Sequence, residues 1–199
     1  MPPERTSGTS TSTGIRFPGY LLIGTAIIAL QALVLFAMGQ PPICACGTIK
    51  LWHGLVSSAE SSQQISDWYT YSHVIHGLIF YFLLWLVAPS APFGLRFVLA
   101  IGIEASWEVF ENTPFIINRY RQSALALGYV GDSVINSVFD TLAAAVGVAL
   151  ARILPVWSTI ALIIATELSL AYAIRDNLTL NIVQLIHPFE AISRWQTGG

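Results

Sequence analysis

The sequence predicts an all-α, polytopic membrane bundle of five transmembrane helices. Of its 199 residues, 54% are hydrophobic and only 10% are charged, with a mean hydropathy of +0.65. An ordinary soluble domain is about a quarter charged, and one soluble core of this length does not hide so much apolar surface. Five stretches approach the roughly 20 apolar residues that a bilayer core requires of a helix. Tryptophan and tyrosine gather near the ends of those stretches, as in the aromatic belt at lipid headgroups.

The start, "MPPERTSGTSTSTG", is rich in Ser, Thr, Gly and Pro, and residues 1–18 are expected to be a disordered tail. It is a poor signal peptide, because the apolar run after Arg16 is too long and no A-x-A site ends it. Residues 19–199 are expected to form a single transmembrane domain. Its first helix is "YLLIGTAIIALQALVLFAMG", 20–39, with Gln31 as its strongly polar side chain. A loop carrying "PPICACG" and "KLWHG" leads to the second helix, 72–88, which Pro89 and Pro92 stop. The third spans 95–117, the fourth 132–154 up to Pro155, and the fifth 157–174. The tail, 178–195, is only moderately apolar and reads as a short interfacial helix.

The net charge of −2 leaves no broad basic face, which argues against nucleic acid as a partner. Membrane lipids are the expected surroundings, and the oligomeric state is open. With the N-terminus inside, Arg5, Arg16, Arg96 and Arg152 fall on the cytoplasmic side; Lys50, Arg119, Arg121, Arg175 and Arg194 fall on the other. The positive-inside rule does not decide between four and five. A cytoplasmic N-terminus is chosen because the first helix follows Arg16.

The polar residues collect at one end of the bundle, whichever way up it sits. His73 and His76 open the second helix. Glu104, Glu108 and Glu111, at i, i+4 and i+7, share one face of the third. Asp132, Asn136 and Asp140, at i, i+4 and i+8, share one face of the fourth. Each charge at membrane depth costs several kcal/mol unless it is paired or wetted. A proton, a cation, a metal or water must therefore offset the stacked carboxylates.

Four chemistries follow. In the first, His73, His76, Glu108 and Asp140 hold a divalent metal (Zn, Fe or Mn), an N/O ligand set that helical bundles do build. Glu104, Glu111, Asp132 and Asn136 then complete a catalytic set, and Arg119 or Arg121 receives an anionic headgroup. Such a centre would suit hydrolysis of a lipid or cell-envelope substrate. In the second, the same carboxylates and histidines act as acid and base without a metal. The third is transport of protons or small solutes, for which the helix count is small and no inverted repeat is seen. The fourth is a structural polar network, the better reading for any one residue alone. Glu167, alone in the fifth helix, reads as a buried hydrogen bond. Cys44 and Cys46 read first as small buried thiols, and second as a redox pair or soft ligands.

"PICACGTIKLWHG", "SDWYTYSHVIHG", "EASWEVFENTPFIINRYR", "GYVGDSVINSVFDTLA" and "IRDNLTLNIVQLIHPFEAISRWQ" resemble an uncharacterised family of multi-pass inner-membrane proteins of alphaproteobacteria. The resemblance covers nearly all of the chain after Gly19. It implies a bacterial cell-membrane protein and carries no catalytic residue or cofactor to transfer. "GDSVINSVFDTL" is also similar to a late helix of the VanZ-like membrane proteins, which raises the expectation of cell-envelope chemistry by analogy.

Overall fold

The computed structural model describes residues 16–126 and 128–198. The disorder expected of the tail falls, for residues 1–15, outside that range; Phe17 and Pro18 already open the first helix. The described residues form helices and no strand. In order these are α1 (Phe17–Ala37), α2 (Thr70–Val87), α3 (Phe93–Glu111), α4 (Pro114–Tyr120), α5 (Val134–Ile153), α6 (Val156–Ile174), α7 (Leu178–Ile186) and α8 (Glu190–Thr197). Four of them, α1, α2, α5 and α6, are long and apolar enough to cross a membrane. The third expected span is not among these four, because α3 carries Arg96, Glu104, Glu108 and Glu111 within 19 residues.

Two expected helices are broken by proline. The stretch 95–117 ends as α3 at Glu111 and restarts as α4 at Pro114, with Thr113 held extended before the ring. The tail 178–195 divides at His187, extended before Pro188, into α7 and α8.

The bundle is organised on the crossing of α2 and α5. Gly77 and Gly147 face one another there. A Cβ built on Gly77 would lie 2.0 Å from the Ala144 carbonyl oxygen, and one on Gly147 would lie 2.1 Å from that of Val74. Only bare backbone fits, as at small-residue crossings in lipid. Gln31 of α1 locks onto the same helix: its Nε2 donates to the Ser137 carbonyl at 3.0 Å, and its Oε1 accepts from Thr141 Oγ1 at 2.8 Å. The one strongly polar side chain of α1 is thereby satisfied without water. At the α2–α3 corner, buried Arg96 donates from Nη2 to the Pro89 carbonyl at 2.7 Å and sits 5.7 Å from the Tyr81 ring.

Outside this core the surface is apolar. Leu22, Leu30, Leu33 and Phe36 of α1 are all more than half exposed, and so are Trp157, Ile164, Leu168 and Tyr172 of α6. Only Leu170 and Ile174 of α6 are buried. This is the inverse of a water-soluble surface.

The first loop, between α1 and α2, is pinned over the start of α5. The Pro41 carbonyl accepts from Val134 N at 2.8 Å and the Pro42 carbonyl from Ile135 N at 3.2 Å. Gln63 Nε2 donates to the Gly131 carbonyl at 2.7 Å. The two proline carbonyls satisfy N–H groups that the first turn of a helix leaves free. In α6, Glu167 is not an isolated acid. It accepts from Leu178 N and Thr179 N, each at 3.0 Å, and so caps α7.

The Gly77–Gly147 crossing yields a direct test. Gly147→Val should cost at least 2 kcal/mol, the scale of overpacking a close contact, and lower the melting temperature of purified protein. Gly102, in mid-α3 with nothing within 4 Å of its built Cβ, is the control: Gly102→Ala should not destabilise and should gain about 0.5–1 kcal/mol of helix propensity. The second test uses Asp176, just past α6, which accepts from Tyr69 OH at 3.0 Å and from Gln196 Nε2 at 3.2 Å. Burial holds its carboxyl up from the usual 3.8 to about 6, against the opposing pull of the Tyr69 hydroxyl. The native state therefore keeps a proton that the unfolded chain has released between those values. Stability from this group is complete below about 4 and lost as pH rises through about 6. The melting temperature of the wild type, measured against Asp176→Asn, should fall across that window; a constant difference would contradict the assignment.

A histidine–carboxylate cluster as the candidate functional site

The predicted stripe on α3 does face inward. Glu104 and Glu108, one turn apart, are 0% and 1% exposed. Glu104 reaches across to α2 and takes both imidazoles. His73 Nδ1 lies 2.5 Å from Glu104 Oε1, and His76 Nδ1 lies 3.1 Å from Glu104 Oε2. A carboxylate partner makes Nδ1 of each ring a hydrogen-bond donor. The i, i+3 spacing of the histidines on α2 is what brings both rings to a single acceptor.

His73 then links α3 to α5. Its Nδ1 is 3.2 Å from Glu108 Oε1, and its Nε2 is 3.7 Å from Asp140 Oδ2. Glu108 Oε1, although it faces His73 Nδ1, makes no hydrogen bond, and neither does the far oxygen of Asp140, Oδ1; both are buried. Unpartnered buried carboxylate oxygens are expensive, and a cation or a proton is the usual remedy. Three groups offer donor atoms within 4.8 Å of one another: His73, His76 and Glu104; His73, Glu108 and Asp140; and Glu108, Glu111 and Asp132. Shared members join them into one chain of seven residues from four segments.

Asp132 enters this chain by a different route from the one its spacing suggested. It precedes α5, whose first helical residue is Val134 and whose N-cap is Ser133. Asp132, Asn136 and Asp140 are therefore not three rungs of one helix. Loop contacts place Asp132 instead: its Oδ2 accepts from Asn112 Nδ2 and its Oδ1 from Tyr129 OH, both at 2.7 Å. Its own N–H donates to Asn112 Oδ1 at 2.7 Å. Gly131, at φ +96°, makes the turn, and a Cβ there would lie 2.8 Å from Asn112 Oδ1. Burial raises the Asp132 carboxyl to about 6, with the Tyr129 and Asn112 hydrogen bonds pulling the other way.

Three other expected site residues lie elsewhere. Asn136 donates to the Gln64 carbonyl at 2.9 Å and serves the first loop. Arg119 donates from Nε to the Leu185 carbonyl and from Nη2 to the Ile186 carbonyl, each at 2.6 Å, tying α4 to the end of α7. Arg121 donates to the Tyr129 carbonyl at 2.5 Å. Neither guanidinium lines the cavity described below. Cys44 and Cys46 correct a further expectation: they are joined as a disulfide rather than standing as small thiols. Their sulfurs and Glu60 form a separate group in the first loop, where Glu60 is paired with Lys50 at 2.5 Å.

The cluster opens into a cavity of about 600 Å³ between α2, α3 and α7. His73, His76, Glu111, Asp132 and Asp140 stand in its wall at one end; Phe80, Ile103, Trp107, Phe110 and Ile182 supply apolar walls. The residues that reasoning from spacing passed over are Asn112, Tyr129 and Trp107. Asn112 sits next to Glu111 and Tyr129 is three residues before Asp132, so proximity in "FENT" and "GYVGD" was their available signal.

The comparisons with known proteins agree across the chain. A family model described as "Protein of unknown function (DUF2585)" matches residues 35–198. A "UPF0314 protein" of Sphingopyxis alaskensis is 52% identical over 186 residues, covering 94% of this chain and 98% of its own. One of Brucella anthropi is 52% identical over 177 residues, covering 89% and 90%. One of Paracoccus denitrificans is 52% identical over 170 residues, covering 85% and 88%. No solved structure matches. These matches do not carry the likeness to VanZ-like proteins. The chain belongs to the DUF2585 family, an uncharacterised alphaproteobacterial group whose members include the UPF0314 proteins.

Proposed function

We propose that this is a five-span inner-membrane protein whose cluster binds a divalent cation and hydrolyses a lipid or cell-envelope substrate. The observation that carries the reading is the convergence of two buried carboxylates on His73, with Glu108 Oε1 and Asp140 Oδ1 lacking any hydrogen bond. A carboxylate such as Glu104 at Nδ1 orients a histidine ligand and raises its basicity. His73 Nε2, with Glu108 and Asp140, would hold the ion. When bound, a divalent cation lowers the pKa of a coordinated water and polarises an acyl or phosphoryl oxygen. Glu111, half-buried at the cavity wall, would accept the proton of the attacking water and return it to the leaving group as the scissile bond breaks.

The fifth span is α3. At about 1.5 Å per residue its 19 residues reach about 28 Å, close to a bilayer core. Its charges are buried or turned to the cavity, so length rather than polarity governs whether it crosses. The Cys44–Cys46 bond supports an oxidising compartment for the first loop, and with it a cytoplasmic N-terminus and a cluster near the outer face. A second reading, an ion-free structural network, draws support from Asp132, whose oxygens are both satisfied by Asn112 and Tyr129.

Elemental analysis of purified wild type should find close to one Zn, Fe or Mn per chain, and a chelator should lower the melting temperature by several degrees. His73→Ala and Asp140→Asn should each lose the metal and the chelator response. Metal-free wild type that is indifferent to chelation would favour the ion-free network. For sidedness, Cys46 is the exposed member of the bonded pair. After mild reduction, an impermeant maleimide should label it in intact spheroplasts. Labelling that requires lysis would reverse the orientation.

A further inference from the structure

The cavity names a class of ligand beyond the ion. Its apolar walls come from Ile79 and Phe80 on α2, from Ile103, Trp107 and Phe110 on α3, and from Ile182 on α7. Three of these, Ile103, Phe110 and Ile182, are 43%, 44% and 45% exposed. Exposed apolar residues of α3 and α7 thus line the cavity, and the entrance inferred below lies between these two helices. A molecule enters there from the bilayer without crossing water, which selects for a hydrocarbon chain. A volume of about 600 Å³ holds an amphiphile of drug-like to single-chain lipid size.

The titratable residues of the wall select the headgroup. Glu111, Asp132, Asp140 and Asp176 stand in it with His73 and His76, and no Lys or Arg lines it among the described residues. Arg119 and Arg121, the nearest cations in sequence, are held by backbone carbonyls. Aromatic rings interleave the acids: Tyr69, Tyr120, Tyr129 and Trp107 line the same cavity. Carboxylates among aromatic faces are the chemistry that receives an ammonium group, by ion pairing and by cation–π attraction. The wall is also unfinished. Ser72 Oγ and Asp140 Oδ1, on residues 5% and 4% exposed, have no hydrogen-bond partner, and both residues line the cavity. A donor-rich headgroup would satisfy them, whereas a phosphate would add negative charge beside four acids.

We infer that the cavity takes an amphiphile with a positively charged amine headgroup, drawn sideways from the bilayer between α3 and α7. The inference rests on the proposal that this cavity is the substrate site, and it does not require the metal. The test therefore uses full-length protein stripped with chelator, in a neutral detergent. Dodecylammonium, dodecyl phosphate and dodecanol are titrated separately, with the melting temperature and the Trp107-dependent fluorescence, assigned with Trp107→Phe, as readouts. The ammonium probe should saturate at concentrations at least tenfold below the other two. Glu111→Gln should weaken it about tenfold while leaving dodecanol unchanged, and Ile103→Trp should obstruct both. Each variant is first shown to melt cooperatively without a probe. Equal binding of all three would reduce the site to a chain pocket; preference for the phosphate, or no saturable binding, would overturn the inference. Preference for the ammonium probe in the stripped protein supports this inference whether or not elemental analysis of the untreated protein finds a metal, so the two proposals fail separately.

Discussion

The site is organised by one carboxylate, Glu104, lying between two imidazoles. It is fully buried and takes Nδ1 of both His73 and His76, so α3 and α2 are tied at a defined register. That contact orients both rings and leaves Nε2 of His73 facing Asp140. In a low-dielectric interior such a pairing is strong only while both sides are complete. Remove Glu104 and two histidines lose their orientation; remove the histidines and a bare charge remains in the bundle.

The cluster exists because the backbones come close enough to permit it. Gly77 is one residue after His76, and Gly147 is seven after Asp140, so the crossing that needs bare backbone sits within two turns of the site. The same approach sets how far His73 lies from Asp140. Beyond the crossing, the first loop caps α5 through the Pro41 and Pro42 carbonyls, and Asn112 clasps Asp132. Loop, glycine contact and carboxylate bridge thus act on one another, and the exposed apolar surface of α1 and α6 carries none of this order.

Much of this architecture was legible because hydropathy and the helical period report it directly. The α3 stripe predicted that Glu104 and Glu108 would share a face, and they do. The convergence of His73, His76 and Asp140 followed from the alternation of helix directions. What spacing misjudged were the places where proline or a loop overrides the period. Pro114 splits the third segment, and Asp132 looks like a rung of α5 but lies before its cap. Arg119 and Arg121 looked free to meet a headgroup, yet backbone carbonyls hold them, a preference that no charge pattern encodes. Asn112 and Tyr129 were invisible as site residues because their partner is set by tertiary structure alone. The third predicted span falls outside the four apolar helices because inward-facing charge lowers the hydropathy of α3.

The central claim is that buried acids around His73 are balanced by a bound ion rather than by protons alone. X-ray absorption at the edge of a zinc- or manganese-loaded sample reads this most directly. The account predicts a first shell of at least one imidazole nitrogen with carboxylate oxygens at about 2.0–2.2 Å, with the nitrogen contribution lost in His73→Ala. A shell of sulfur and water from the Cys44–Cys46–Glu60 loop, or an all-water shell unchanged by that substitution, would contradict it.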